Sequence, residues 1–100
     1  MNTFTVLAEP SRRLILDSLL KGAQPVNALV DQCSMSQPVV SKHLRVLRDA
    51  GLVVVKPEGQ RRLYSINPGP LAELEAWLEP YRRFWSDNLD ALEQHLDELE

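Results

Sequence analysis

The apolar positions of this chain change period along its length, and each change marks a different kind of element. Phe4, Val6 and Leu7 form a short apolar lead that ends at Glu9-Pro10. From Ser11, a good N-cap residue, Leu14, Ile15, Ser18 and Leu19 fall at helical spacing until Gly22 ends the run. Pro25 reads as the first position of a shorter helix carrying Val26, Leu29 and Val30, which stops near Gln32-Cys33. A short turn then leads to Ser36, a second N-cap. Pro38 follows in the first turn, where its missing N–H is not needed, and Gly51 supplies a left-handed stop. Within this helix, steps of about 100° per residue place Val40, Leu44 and Leu47 on one narrow stripe.

After Gly51 the period falls to two. Leu52 to Val55 is a largely β-branched run, Lys56-Pro57-Glu58-Gly59 is turn chemistry, and Arg61 to Ile66 alternates Arg62, Tyr64 and Ile66 against Arg61, Leu63 and Ser65. This predicts a β-hairpin with a basic tip. Asn67-Pro68-Gly69-Pro70 punctuates the chain, and helical spacing then returns for Leu71, Leu74, Leu78, Tyr81, Trp85, Leu89, Leu92, Leu96 and Leu99. At about 1.5 Å per residue that stripe is about 43 Å long. Pro80 falls inside it and is expected to kink or restart the helix near Leu78-Glu79. The preceding residues are too few to cover this stripe together with Trp77 and Phe84, so much of it is expected to face a second copy of the chain. Phe4, Val6, Leu7, Trp85, Leu89, Leu92 and Leu96 are the candidate interface residues.

The polar positions of the Ser36–Leu52 segment point to a function. Opposite Val40 lie Gln37, Pro38, Ser41, Lys42, Arg45 and Arg48, with Asp49 the sole acid of that arc, at its far end. A solvated helix face mixes both charges. This one presents an amide, a hydroxyl and three cations, the donor set that reads base edges and phosphates in a DNA major groove. Two helices joined by a short turn, the second with such a face, form the helix-turn-helix pattern, with a recognition helix at about 36–50. The hairpin behind it, at about 53–66, becomes a wing that brings Gly59, Gln60, Arg61 and Arg62 to phosphates or the adjacent minor groove.

The net charge of −3 at first argues against nucleic acid, but the charge is polarised. Residues 41–65 carry six Lys or Arg against Asp49 and Glu58, whereas residues 66–100 carry nine acids against Arg82 and Arg83. The hydrophobic content, 44%, is that of a globular protein, and no apolar run approaches the roughly 20 residues of a membrane span. The start of the chain lacks a secretory pattern, which points to the cytoplasm. Cys33 stands alone, so no intrachain disulfide forms, and neither His43 nor His95 joins a recognisable catalytic constellation, so an enzyme is not expected.

With LAEPSRRLILDSLL, MSQPVVSKHLRVLRDAGLV and GQRRLYSI in this order, the chain resembles the ArsR/SmtB family of bacterial repressors, closely over residues 4–66. The resemblance implies a mainly α fold with a small β-hairpin, a single winged helix-turn-helix domain over residues 1–100, and dimerisation through a terminal helix at about 71–99. It also implies a homodimeric repressor, often of its own promoter, on an inverted-repeat double-stranded operator. Many relatives sense metal ions, and this chain departs from both of their sites. Pro25-Val26-Asn27-Ala28-Leu29 stands where a cysteine motif is found. On the terminal helix His95 and Glu98 match half of a site whose other half is here Arg82 and Phe84, and two ligands do not complete a zinc shell. No metal or other cofactor is expected, and the effector stays open.

His43 is expected to be a hydrogen-bonded packing residue and Cys33 a small half-buried filler. Two alternatives remain beside the metal-free repressor: a metal- or thiol-responsive repressor of the same fold, and a winged-helix protein-interaction module.

Overall fold

In the computed structural model, which describes residues 2–99 and the side chains of residues 2–98, the apolar lead is itself a short helix, α1 (Thr3–Leu7). Asn2 caps it: its side-chain oxygen accepts from Thr5 N at 2.8 Å and from Thr5 Oγ1 at 3.0 Å. Arg12 and Arg13 close its other end, donating to the carbonyls of Val6 at 3.4 Å, Leu7 at 2.6 Å and Ala8 at 3.1 Å. Val6 is thereby turned into its own chain's core, with none of its surface exposed. That corrects its expected place in a dimer interface.

Helix α2 (Pro10–Leu19) starts one residue before Ser11. Pro10 pre-sets the helical φ at the first position, and the carboxylate of Glu9, the true N-cap, accepts from Ser11 N at 3.1 Å. The phase also differs from expectation. Ile15, Leu16 and Leu19 are buried, whereas Leu14 is half exposed. Three consecutive apolar residues span more than half a turn, so local spacing leaves the inward face open and packing against the following helices selects it.

Helix α3 (Val26–Cys33) takes Pro25 as N-cap, with extended backbone, rather than as its first residue. It ends at Ser34, which adopts φ 54 and ψ 41 in the left-handed region and turns the chain sharply into α4 (Gln37–Asp49). Ser36 caps α4 with its backbone alone, its side chain making no cap hydrogen bond. Val40, Leu44 and Leu47 are all buried, as the stripe predicts, and Gly51 takes φ +78 just past the helix. Together with Val6, Ile15, Leu16, Leu19, Leu29, Leu52 and Val53 they form the core. At about 1.5–3 kcal/mol per buried aliphatic side chain, this cluster is what fixes α4 on its scaffold.

The wing is an antiparallel ribbon of β1 (Val53–Glu58) and β2 (Arg61–Ile66), running in register from Val53 opposite Ile66 to Glu58 opposite Arg61. The turn is thus only Gly59-Gln60, with Gly59 at φ +61, and Lys56, Pro57 and Glu58 belong to the strand instead of the turn. Pro57 is tolerated because alternate residues of a two-stranded ribbon direct their N–H groups outward. A further rung lies outside both strands: Gln24 and Tyr64 exchange two main-chain hydrogen bonds, each of 2.9 Å. Past the ribbon, Asn67 N donates to the Leu52 carbonyl at 2.9 Å and its side-chain amide to the Gly51 carbonyl at 2.8 Å.

Helix α5 (Pro68–Leu99) runs through Pro80 without a restart, one of the two outcomes expected there. The chain divides into two compact units at Pro70-Leu71, and the second consists of this helix alone. Trp77 and Tyr81 stack at a centroid distance of 4.8 Å along it. Among the described residues no helix is long and apolar enough to cross a membrane.

Candidate nucleic-acid interface

Three buried residues, Val40, Leu44 and Leu47, hold α4 by one side, so everything on its far side is presented outward. Ser36, Gln37, Pro38, Ser41, Lys42, Arg45 and Arg48 are all exposed. Pro38 keeps the first turn helical without an N–H, and the last turn carries Arg48, a cation at the end where helix carbonyls concentrate negative charge. Arg45 and Arg48 form no ion pair among the described residues, so both guanidinium groups remain available to an incoming anion.

The wing adds a second wall. Strand alternation sends Arg61 and Arg62 to opposite faces of the ribbon. Arg61 is engaged with Glu58 at 3.7 Å, an exposed pair of small energetic weight. Arg62, by contrast, turns towards α4. With Tyr64 on the same face it lines a cleft of about 430 Å³, completed from α4 by Ser41, Leu44, Arg45, Arg48 and Asp49. Recognition helix and wing therefore meet around one space with three guanidinium groups and one carboxylate on its rim. Gly59 and Gln60 are exposed at the hairpin tip, beyond this cleft. Tyr64 was not among the candidate site residues, although its place two residues from Arg62 on one strand face signalled that it would share this cleft.

Behind the recognition helix lies a small polar junction. His43, on α4, is half-buried, and its Nδ1 is buried without a hydrogen-bond partner, contrary to the bonded packing role expected of it. Arg12 Nε is in the same condition. Burial lowers the pKa of His43, helped by the positive charge of Arg12 and, less, of Lys42; Glu9 acts in the opposite sense. The amide N–H of Ser11 lowers the pKa of Glu9. Imidazole and carboxylate thus settle as a neutral ring beside an anion at neutral pH.

Among the described residues no group of three or more His, Cys, Asp or Glu side chains could hold a metal ion. Arg82 is held in ion pairs with Glu75 at 3.7 Å and Glu79 at 3.9 Å. Asn27, in the segment that replaces the cysteine motif, accepts from Ala28 N at 3.1 Å. Cys33 is half-buried, its sulfur 3.5 Å from Ser18 Oγ.

Of the expected dimer residues, Phe4 is 54% exposed and Leu7 half-buried, while Val6 belongs to the core. On α5, Trp85, Leu89, Leu92 and Leu96 are exposed by 45–60% of their surface, as are Trp77, Tyr81 and Phe84 to a similar or greater degree. The side chain of Leu99 lies outside the described residues.

Comparison with known proteins agrees with this geometry. Residues 9–55 match the family described as bacterial regulatory protein, arsR family. The HTH-type transcriptional regulator Rv2034 of Mycobacterium tuberculosis is 40% identical over 91 residues, covering 91% of this chain and 82% of its own length. A crystal structure of an ArsR family transcriptional regulator superposes with a TM-score of 0.71 at 32% identity, over 83% of this chain and 91% of that one. The solution structure of the homodimeric winged helix-turn-helix DNA-binding domain of Mb0332 from Mycobacterium bovis, a possible ArsR-family transcriptional regulator, gives a TM-score of 0.66 at 31% identity, over 80% and 74% of the two chains. These relatives are transcriptional regulators and not enzymes.

Proposed function

The chain belongs to the arsR family of bacterial regulatory proteins, and on that footing we propose that it is a homodimeric, metal-independent repressor acting in the cytoplasm on an inverted-repeat DNA operator. The observation that carries this reading is the outward arc of α4: Gln37, Ser41, Lys42, Arg45 and Arg48, all exposed and opposed by Asp49 alone. A protein-interaction module would have neutralised such a face. Gln37, Ser41 and Arg45 are assigned to base edges, Gln37 suited to adenine and Arg45 to guanine, whereas Lys42, Arg48, Arg61 and Arg62 are assigned to phosphates. Two copies related by a two-fold axis would set half-sites about 34–36 Å apart. The homodimeric relative and the exposed apolar stripe of α5 support the dimer. The ion-paired Arg82 and the carbon side chain of Phe84 support the absence of a metal switch.

Titrations of specific and scrambled duplexes at several salt concentrations test the assignment. Gln37→Ala or Arg45→Ala should cost about 1–3 kcal/mol on the specific site and much less on scrambled DNA. Arg62→Ala should weaken both alike and reduce the salt slope by about one for every phosphate that each subunit no longer neutralises. Zinc, cobalt, nickel and cadmium should leave these affinities unchanged, and His95→Ala should be silent. If Arg45→Ala instead lowered both affinities equally while Arg62→Ala changed the preferred sequence, the wing would be the specificity element.

A further inference from the structure

The cleft between α4 and β2 is more than the gap between two DNA-binding elements. When a recognition helix enters a major groove and its wing the neighbouring minor groove, the sugar-phosphate strand dividing those grooves passes between helix and wing. Here that passage is walled by guanidinium groups from both sides, Arg48 from the last turn of α4 and Arg62 from β2, with Tyr64 adding a phenol and Ser41 a hydroxyl. Neither Arg48 nor Arg62 forms an ion pair among the described residues, in contrast to Arg61 on the opposite face of the same strand. Its volume of about 430 Å³ is that of roughly 14 waters at about 30 Å³ each, enough for a phosphodiester with its flanking sugars. Asp49 lines the same cleft, but its single negative charge stands against three positive ones.

We propose that this cleft is a phosphate seat in which Arg48 and Arg62 grip one and the same phosphoryl group, with Tyr64 lining the site and Arg45 at the rim left free to reach a base. The ligand chemistry is a phosphoryl oxyanion, supplied by the backbone of bound DNA or by a free phosphoanion. The inference rests on the DNA-binding reading above only for the first of these sources. Shared grip has a consequence that two independent phosphate contacts lack: neutralising the one phosphate removes what both arginines do.

The test uses the full chain and a duplex recovered by selection from a random-sequence pool, rebuilt with a single uncharged methylphosphonate at each backbone position in turn. One position per half-site should weaken wild-type binding at least about tenfold, the effect of removing a charge-assisted hydrogen bond. That same position should matter less in both Arg48→Ala and Arg62→Ala and be silent in the double variant, the melting temperatures verifying that these exposed substitutions leave the fold intact. If the two variants lose sensitivity at different phosphates, or at none, the seat is overturned while the DNA-binding reading stands. In a second arm, inorganic pyrophosphate is titrated into DNA-free protein and followed by NMR at Tyr64 and Arg62. If selection recovers no duplex but pyrophosphate shifts these signals in wild type and not in either variant, the seat is supported with a free phosphoanion as its ligand, and the DNA-binding reading falls. No duplex and no shift would overturn both.

Discussion

The side-chain amide of Asn67 donates to the main-chain carbonyl of Gly51 at 2.8 Å, tying the residue that leaves the wing to the residue that ends the recognition helix. Gly51 is in the left-handed region, and its carbonyl has no helical partner to turn to. Asn67 Oδ1 also accepts from Gly69 N at 3.3 Å, so one side chain serves the end of α4 and the start of α5. Asn67→Ala should therefore lower stability by about 1–2 kcal/mol, measured by chemical denaturation. Asn67→Asp, which keeps the acceptor and loses the donor, should fall between. Equal stability of all three proteins would show that the tie carries nothing.

The observed phase of α2 makes a sharper demand. Ile15 is fully buried and Leu14 half exposed, although both are large and apolar. Ile15→Ala should cost about 2–5 kcal/mol, whereas Leu14→Ala should stay within about 0.5 kcal/mol of wild type. The reverse order in urea melts would restore the phase that spacing alone suggested.

Stability should also depend on pH through His43. Its folded pKa lies below the ordinary 6.5, chiefly because burial disfavours the imidazolium, with Arg12 and Lys42 adding repulsion against the attraction of Glu9. Well above 6.5 the ring is neutral in both states and contributes no slope. As pH falls below that value the unfolded chain takes up the proton first, so stability declines until the lowered folded pKa is passed. His43→Gln should flatten this region of a stability-against-pH curve. A separate decline, from Glu9, begins near 4.5, where the unfolded chain takes up a proton while the Ser11 N–H still holds the folded carboxylate ionised.

Leu89 and Leu92 are exposed by 60% and 53% on a helix that forms a compact unit by itself. A lone helix gains little from its own chain, and the apolar stripe is expected to be covered by a second copy. Replacing both residues with Glu should yield monomers in sedimentation analysis. Wild-type protein that is already monomeric at micromolar concentration would reject this use of the stripe.

The recognition helix is legible in the sequence because its signals are local. Pro38 and Gly51 act on their own backbone dihedrals, and Val40, Leu44 and Leu47 lie within a single helix, so none depends on distant chain. The common face of Arg62 and Tyr64 is legible for the same reason, from strand alternation. Their meeting with Arg48 is not, because it depends on how α4 and the ribbon pack. Glu9 displaces Ser11 as cap once Pro10 takes the first helical position, a competition between two plausible caps that propensity alone leaves undecided. Val6 escapes sequence reasoning because a short apolar segment carries no sign of whether its own chain or a partner will cover it. Least legible is the Gln24–Tyr64 rung, which consists of main-chain hydrogen bonds between remote residues.

That rung changes the thermodynamics of association. A free hairpin would sample many orientations and lose them when it docked, an entropy cost charged against every complex. Here the ribbon is pinned at Tyr64, between its tip and its root, to the segment that leads into α3. The spacing of α4 and Arg62 is therefore set while the protein is still free in solution, and only the tip around Gly59 and Gln60 has freedom left to lose. Binding should show little backbone rearrangement near Tyr64, with ordering confined to the two residues of the turn.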